Sequence, residues 1–431
     1  MKKLYLMLVL LVGLAVLAAC SSGDEETGSD SGSKGSSGAD SITVWAWDPA
    51  FNIAALEKAK EAYNGDGDYE VKIIENAQDD IIQKLNTGLS SGTTKGMPNI
   101  VLIEDYRAQG FLQAYPDAFH PLTDVINPDD FAEYKIATTS FDGEQYGLPF
   151  DSGVAGLYVR TDYLEEAGYT VEDLTDITWD EYIEIGKAVK EATGKNMLTL
   201  DPNDLAPIRM MIQTNGAWYV KEDGSTPSIA DNESLAKAFE TYKNMMDADI
   251  AKIVSDWSQF VGAFNSGDVA SVPTGNWITP SVKQATDQSG KWAVVPMPRL
   301  DMDGATNATN LGGSSWYILN VDGKEEAADF MLNTFGSNAD LYQTLLKDIG
   351  ALGTYSAAGG DAYEAEDEFF SGQQIITDFS KWTDEIPGVN YGLHTYAIED
   401  ILVTGMQDYL SGSELEKVLE SVQGQAEAQL K

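Results

Sequence analysis

The chain has 431 residues, 43% hydrophobic and 10% aromatic, which excludes a disordered polymer and leaves room for two or three domains with cores of their own. Its 69 acidic against 27 basic side chains give a formal net charge of −42, which disfavours nucleic acid and anionic membranes as partners and favours neutral or cationic ones. One cysteine, Cys20, and two histidines, His120 and His394, exclude a disulfide framework and a Cys/His metal centre, and no cofactor is expected.

Residues 1–20 read MKKLYLMLVLLVGLAVLAAC, with Lys2 and Lys3 before the apolar run Leu4 to Leu17, the form of an export signal. Residues 21–40 are mostly Ser, Gly and acids, cannot bury anything, and are expected to be a disordered tether. Ser41 to Trp47 then reads as a strand, Leu56, Ala59 and Tyr63 as one face of a helix, and Tyr69 to Ile74 as a second strand. A helix follows from Asp79 with Ile81, Ile82 and Leu85 on one side, and the apolar run Asn99 to Ile103 reads as a buried parallel strand. That alternation is the signature of a parallel α/β layer, whose ligands sit at the carboxyl ends of its strands. Those ends are Trp47-Asp48, Asn76 and Glu104-Asp105-Tyr106.

Further on, the turn Asp142-Gly143 leads into a short strand through Tyr146 and Leu148, which Pro149 interrupts because it has no N–H for a sheet ladder. Phe150-Asp151-Ser152-Gly153 and a second apolar run, Gly156 to Val159, suit a crossing between lobes. Thr178-x-x-Glu181 has the form of a capping box, with Trp179, Tyr182, Ile183, Gly186 and Val189 on one helix face and Gly194 at its end. Helical stretches Ala206 to Thr214 and Glu233 to Asp247 flank a loop carrying Trp218 and Tyr219. Val269 to Val272 reads as a short strand and Pro273 to Asn276 as a turn, where Gly275 permits a backbone shape that pushes Trp277 out of the sheet. Ser413-x-x-Glu416 is expected to cap the last helix.

Several of these blocks, in this order, resemble the extracellular solute-binding proteins of bacterial sugar ABC transporters, the maltose-binding-protein-like family 1. Tyr146 to Pro149 and the stretch on to Ala167-Gly168 resemble the family's lobe crossing, and Thr178-Trp179-Asp180-Glu181 its next helix. Asp256 to Trp277 resembles the block whose terminal Trp stacks on sugar. Lys291 to Leu300, Asn310 to Ile318 and Lys324 to Phe335 resemble the strand, return strand and helix that follow. Leu17-Ala18-Ala19-Cys20 resembles a lipobox. The resemblance implies a two-lobed periplasmic-binding-protein-like α/β fold, each lobe a central sheet flanked by helices, with a ligand cleft between lobes. Lobe one would be 41–150 with 312–366, and lobe two 151–311 with 367–431. It further implies a monomeric lipoprotein, anchored through Cys20 on the outer face of the cytoplasmic membrane, that delivers a carbohydrate to ABC permease subunits.

Catalytic motifs are missing: there is no P-loop, no His-Glu-x-x-His and no Gly-x-Ser-x-Gly, so a binding role is expected rather than an enzyme. Sugar binding needs flat rings for pyranose C–H faces and carboxylates or amides for hydroxyls. Trp45, Trp179 and Trp292 read as core, whereas Trp47, Trp218, Trp257, Trp277, Trp316 and Trp382 stand in loops or at element ends, Trp382 with the weakest case for ligand contact. Trp47 and Trp277 have the best case, and Asp48, Asp105 and Asp151 follow strand ends or the crossing. Tyr106 and Ser314 complete the expected ligand set. Two other classes remain open at this point: a polyamine-binding protein, favoured by the acidic surface, and a surface-anchored glycoside hydrolase, which needs two facing carboxylates.

Overall fold

The first sheet is built from the chain's amino-terminal strands, β1 (Ser41–Ala46), β2 (Glu70–Glu75) and β3 (Ile100–Glu104), in a computed structural model that describes residues 39–430. All three are parallel, with β1 between β2 and β3. Ile100 to Ile103 are buried on both faces, as a run of β-branched and aliphatic residues inside a layer must be. At the edge, β2 alternates charged and apolar residues from Glu70 to Ile73 and stays largely open to solvent. Helices α1 (Ala54–Ala62) and α2 (Gln78–Ser90) make the crossovers, and α3 (Asp105–Ala114) follows β3 directly. After α4 (Glu133–Thr139), β4 (Gly147–Asp151) forms the other edge. Pro149 therefore does not interrupt the strand. It lies inside an edge strand at a register shift opposite Ser314 and Ser315, where a missing N–H is tolerated.

The chain then enters a second sheet. Its central strand β5 (Ala155–Arg160), buried throughout, pairs antiparallel with β6 (Ser271–Gly275) on one side and β7 (Trp292–Pro296) on the other. Between β5 and β6 lie α5 (Trp179–Thr193), α6 (Ala206–Thr214), α7 (Glu233–Asp247) and α8 (Trp257–Asn265). The capping box of α5 forms as expected, with Thr178 and Glu181 exchanging bonds and Gly194 closing the helix at φ 71°. Residues Pro273 to Gly275, expected as a turn, instead extend β6, again an edge strand that accepts proline. After the short helix α9 (Thr279–Val282) and β7, β8 (Ser314–Ile318) returns to the first sheet between β3 and β4. Helices α10 (Lys324–Leu332) and α11 (Ala339–Ile349) pack on that sheet. The chain ends with α12 (Ile375–Thr383), α13 (Thr395–Leu410) and α14 (Leu415–Gln429) around the second. The last helix has Glu414 at its N-cap with no side-chain capping bond, so the Ser413-x-x-Glu416 expectation fails. Trp45, Trp179 and Trp292 are core residues, and so is Trp382. Residues 39–430 belong to one compact unit, and the signal, Cys20 and most of the tether lie outside the described residues.

Three stretches cross between the sheets side by side. Leu311 N–H donates to Gly153 O (2.7 Å), Ala155 N–H to Thr309 O (2.9 Å) and Ser152 N–H to Leu352 O (2.7 Å). Gly153 is there because nothing larger fits: a β-carbon would stand 2.6 Å from the Gly312 carbonyl and 2.9 Å from Gly313 N. Those neighbours are backbone of a hydrogen-bonded crossing stretch and cannot turn aside. Gly153→Ala is expected to lower stability by about 1–3 kcal/mol, the usual cost of overpacking, read as a shift in the urea midpoint at unchanged slope.

Candidate functional site

Because β1, β2 and β3 are parallel, the residues that follow them share one edge of the first sheet: Trp47-Asp48, Asn76 and Glu104. Antiparallel β8 begins at the same edge, with Ser314 opposite Glu104, and β4 ends there, with Asp151 opposite Ser314. Hence the crossings leave from the edge where ligands of such sheets bind. Trp277, in the turn that follows β6, reaches it from the other sheet: its Nε1 donates to Leu311 O at 2.8 Å. Gly275 serves this approach through its size, since its φ is an ordinary −65° and a β-carbon would collide with Trp277 and lie 2.7 Å from Leu311 O. The unusual backbone shape expected of Gly275 from the sequence is absent.

Trp257 opens α8, whose N-cap Asp256 accepts a bond from Gln259 N–H (2.8 Å). Its ring centroid lies 5.9 Å from that of Trp277 and 5.3 Å from that of Phe260. Trp257 is 55% exposed, and Trp277 and Phe260 are half-buried. The three rings form an open aromatic surface beside the crossing, where core packing would have hidden them. On the first sheet, Trp47 is half-buried and Asp48 exposed, the latter held at φ 58°.

The other expected ligand residues lie in the interior. Trp316 is fully buried against Phe150 and Phe335, because β8 is a central strand and the face it shares with Ile318 points into the core. Trp218 packs on Tyr391 and Tyr219, with its Nε1 bonded to Thr395 Oγ1 at 3.0 Å. Tyr106 stacks on Trp218 at 5.6 Å and meets Tyr391 edge-on at 4.7 Å. Asp151 accepts from the backbone N–H of Ser314 (2.8 Å) and from its hydroxyl (2.5 Å), which occupies both residues in the crossing.

Asp105 is 1% exposed and pairs with the fully buried Lys135 at 2.6 Å, while Ser315 Oγ donates to its other oxygen at 2.9 Å. Lys135 Nζ also donates to Asp151 O (3.1 Å) and Ser314 O (2.8 Å). Burial pushes the Asp105 carboxyl above its ordinary range, opposed by the Lys135 ammonium. In this structure these six residues, expected as ligand contacts, are buried and engaged in packing and crossing contacts.

Sequence reasoning missed a second link between the sheets. Tyr396 Oη donates to Glu104 Oε1 at 2.8 Å, and the Arg107 guanidinium lies 4.2 Å from the Tyr396 ring centre and 3.4 Å from the Glu104 carboxylate. Burial raises the Glu104 carboxyl, and the Tyr396 bond and Arg107 pull it back. Nearby, Arg209 pairs with Glu399 in the interior. Glu104 stands among the strand ends read from the sequence, but Tyr396 is 292 residues away, and no local pattern connects the two.

Residues 58–370 match the bacterial extracellular solute-binding proteins. The chain belongs to that family. A lactose-binding protein of Rhizobium radiobacter is 45% identical to this solute-binding protein over 392 residues, 90% of this chain and 93% of the relative. An arabinooligosaccharide-binding protein of Halalkalibacterium halodurans is 26% identical over 385 residues, 86% of this chain and 84% of the relative. The solved sugar-binding protein MalE of Xanthomonas citri superposes with a TM-score of 0.73 at 18% identity, covering 90% of this chain and 97% of that one. The architecture is accordingly the two-lobed α/β fold of these binding proteins, one sheet to each lobe.

Proposed function

We propose that this solute-binding protein captures a neutral oligosaccharide in the cleft between its lobes and hands it to an ABC permease for import. The open surface formed by Trp257, Trp277 and Phe260 carries this reading, because flat rings beside a ligand edge suit the C–H face of a pyranose. The lactose- and arabinooligosaccharide-binding relatives support it. Trp47 and Asp48 face this platform in the proposal, and Glu104 and Arg107 close one side. Lobe one comprises 41–150 with 312–366, and lobe two 151–311 with 367–431; sugar stabilises the closed arrangement of a monomer. The role is binding without turnover. A thermal-shift panel with lactose, galactobiose and arabinooligosaccharides tests it, since a ligand held only by the folded state raises the melting temperature by mass action. No shift and no calorimetric heat with any of them would overturn the reading.

The same proposal places the protein outside the cytoplasmic membrane, held by lipid on Cys20 after signal cleavage, with residues 21–40 as spacer. No helix among the described residues is long and apolar enough to cross a membrane. Cys20→Ala is expected to move the protein from the membrane fraction into the medium or into an unprocessed precursor. Wild-type protein without lipid on Cys20, by mass spectrometry, would sink the anchor.

A further inference from the structure

Helix α3 is packed on two sides. Ala108, Phe111 and Leu112 join the core of the first sheet, whereas Tyr106 is buried among core residues of the second, beside Trp218 and Tyr391. The Tyr106 Oη accepts a bond from Gly312 N–H (3.3 Å), so this ring lies against the crossing itself. Tyr106, Arg107, Gly110 and Gln113 follow at helical spacing and share one face of α3. From Tyr106 to Gln113 that face runs about 10 Å along the helix, at about 1.5 Å of rise per residue.

What meets this face belongs to the second lobe. Tyr396, in the first turn of α13, donates to Glu104 at 2.8 Å, and its ring centre lies 4.2 Å from the Arg107 guanidinium and 5.7 Å from that of Arg209. Gly110 carries no side chain where Leu393 O comes close, since an added β-carbon would stand 3.2 Å from that oxygen. Gln113 Nε2 comes within 3.1 Å of the place a Gly224 β-carbon would take. Two segments, one around Gly224 and one from Leu393 to Tyr396, therefore close on α3 away from the crossings. Chain connectivity does not force these contacts. Every partner in them is a protein group, so the attraction between the lobes acts whether or not sugar is bound.

We infer that Tyr396 and this face of α3 form a clasp that draws the lobes together before sugar arrives. Tyr396 is its positioning residue, because it holds Glu104 and Arg107 of the first lobe against the second. Apparent affinity is the affinity of the closed form multiplied by the closed fraction, so the clasp raises affinity by one factor for every sugar. The inference rests on the sugar reading for that factor alone, since the arrangement of the lobes is measurable without ligand.

Small-angle scattering of the sugar-free protein tests it with two variants of unlike chemistry. Tyr396→Phe removes the hydroxyl bonded to Glu104 and keeps the ring. Gly110→Leu places a helix-favouring side chain where Leu393 O leaves no room. Both variants, with far-ultraviolet circular dichroism like that of the wild type, are expected to show a larger radius of gyration. Calorimetry with lactose and arabinooligosaccharides should then show weaker binding, by up to roughly 20-fold for Tyr396→Phe, the size of one hydrogen bond to a charged group. The factor should be the same for each sugar that binds. A wild-type radius in either folded variant would overturn the clasp, whatever the sugars do. A Tyr396→Phe loss that differs from sugar to sugar would make Tyr396 a ligand contact and overturn it as well. Failure of every sugar to bind would overturn the sugar reading alone and leave the radius to decide the clasp.

Discussion

Lys135→Met is expected to lower the stability of the protein by about 3–5 kcal/mol, the usual cost of removing one partner of a buried ion pair. Lys135 has no exposed surface, and its ammonium holds Asp105 at 2.6 Å together with the carbonyls of Asp151 and Ser314. The first is the charge left stranded, and the other two are acceptors in two of the three crossings. A hydrophobic side chain of similar length fills the volume but satisfies none of them. The pH dependence follows from burial, which already raises the Asp105 carboxyl in the wild type. Without Lys135 the pull in the other direction disappears. The folded variant then binds a proton more tightly than the unfolded chain does, so its deficit should be greatest at neutral pH and shrink as pH falls. Urea unfolding of the variant at pH 5 and pH 7.5 measures both effects. The double substitution Lys135→Met/Asp105→Leu should recover part of the loss, because no unpaired charge remains. A single-variant loss below about 1 kcal/mol would show that the pair does not hold the crossing.

Trp277→Ala should weaken sugar binding by about 2–3 kcal/mol, combining lost contact area with the aromatic contribution, a loss in affinity on the order of 30- to 150-fold. The structure sharpens what to compare. Trp277 is half-buried and its Nε1 is bonded to Leu311 O, so the substitution also removes one hydrogen bond at the crossing. Trp277→Phe keeps the flat ring, loses that bond, and should recover most of the affinity. Trp257 is 55% exposed and gives the cleaner comparison, since Trp257→Ala should leave unliganded stability almost untouched while lowering affinity. Calorimetry with the sugar found in the thermal-shift panel, on variants whose unliganded melting temperature is known, separates stacking from packing. Unchanged affinity in a well-folded Trp277→Ala protein would remove the platform from the binding site.

The strands and helices of the first sheet were legible because their signals are local. The stretch Asn99 to Ile103 is apolar from Ile100 on, as a doubly covered strand must be, and it forms β3 shifted by one residue. The Thr178 capping box and Gly194 fix both ends of α5 within a few residues of sequence. The two prolines misled for one reason: Pro149 and Pro273 mark interruptions only in a central strand, and strand order, which makes both strands edges, is a long-range property. The aromatics divide in the same way. A Trp at an element end is equally consistent with core and cleft, so Trp316 and Trp257 looked alike in the sequence. One is now enclosed between Phe150 and Phe335 and the other stands open beside Trp277.

Local patterns in the residues are enough for the kind of molecule: an acidic α/β binding protein with a parallel layer whose strand ends carry Trp47, Asp48 and Glu104, and a crossing near Asp151. Periodicity, capping and strand-end position are properties of neighbouring residues, and they survive without a fold. Which polar groups are already in use depends on long-range packing. Asp105 was an open acid in the sequence and became half of an ion pair once α4 brought Lys135 to it, 30 residues on. Glu104 gained Tyr396 from a helix 292 residues away. A carboxylate offers its lone pairs to whichever donor the packing brings nearest, and that donor is chosen by chain segments with no local pattern in common.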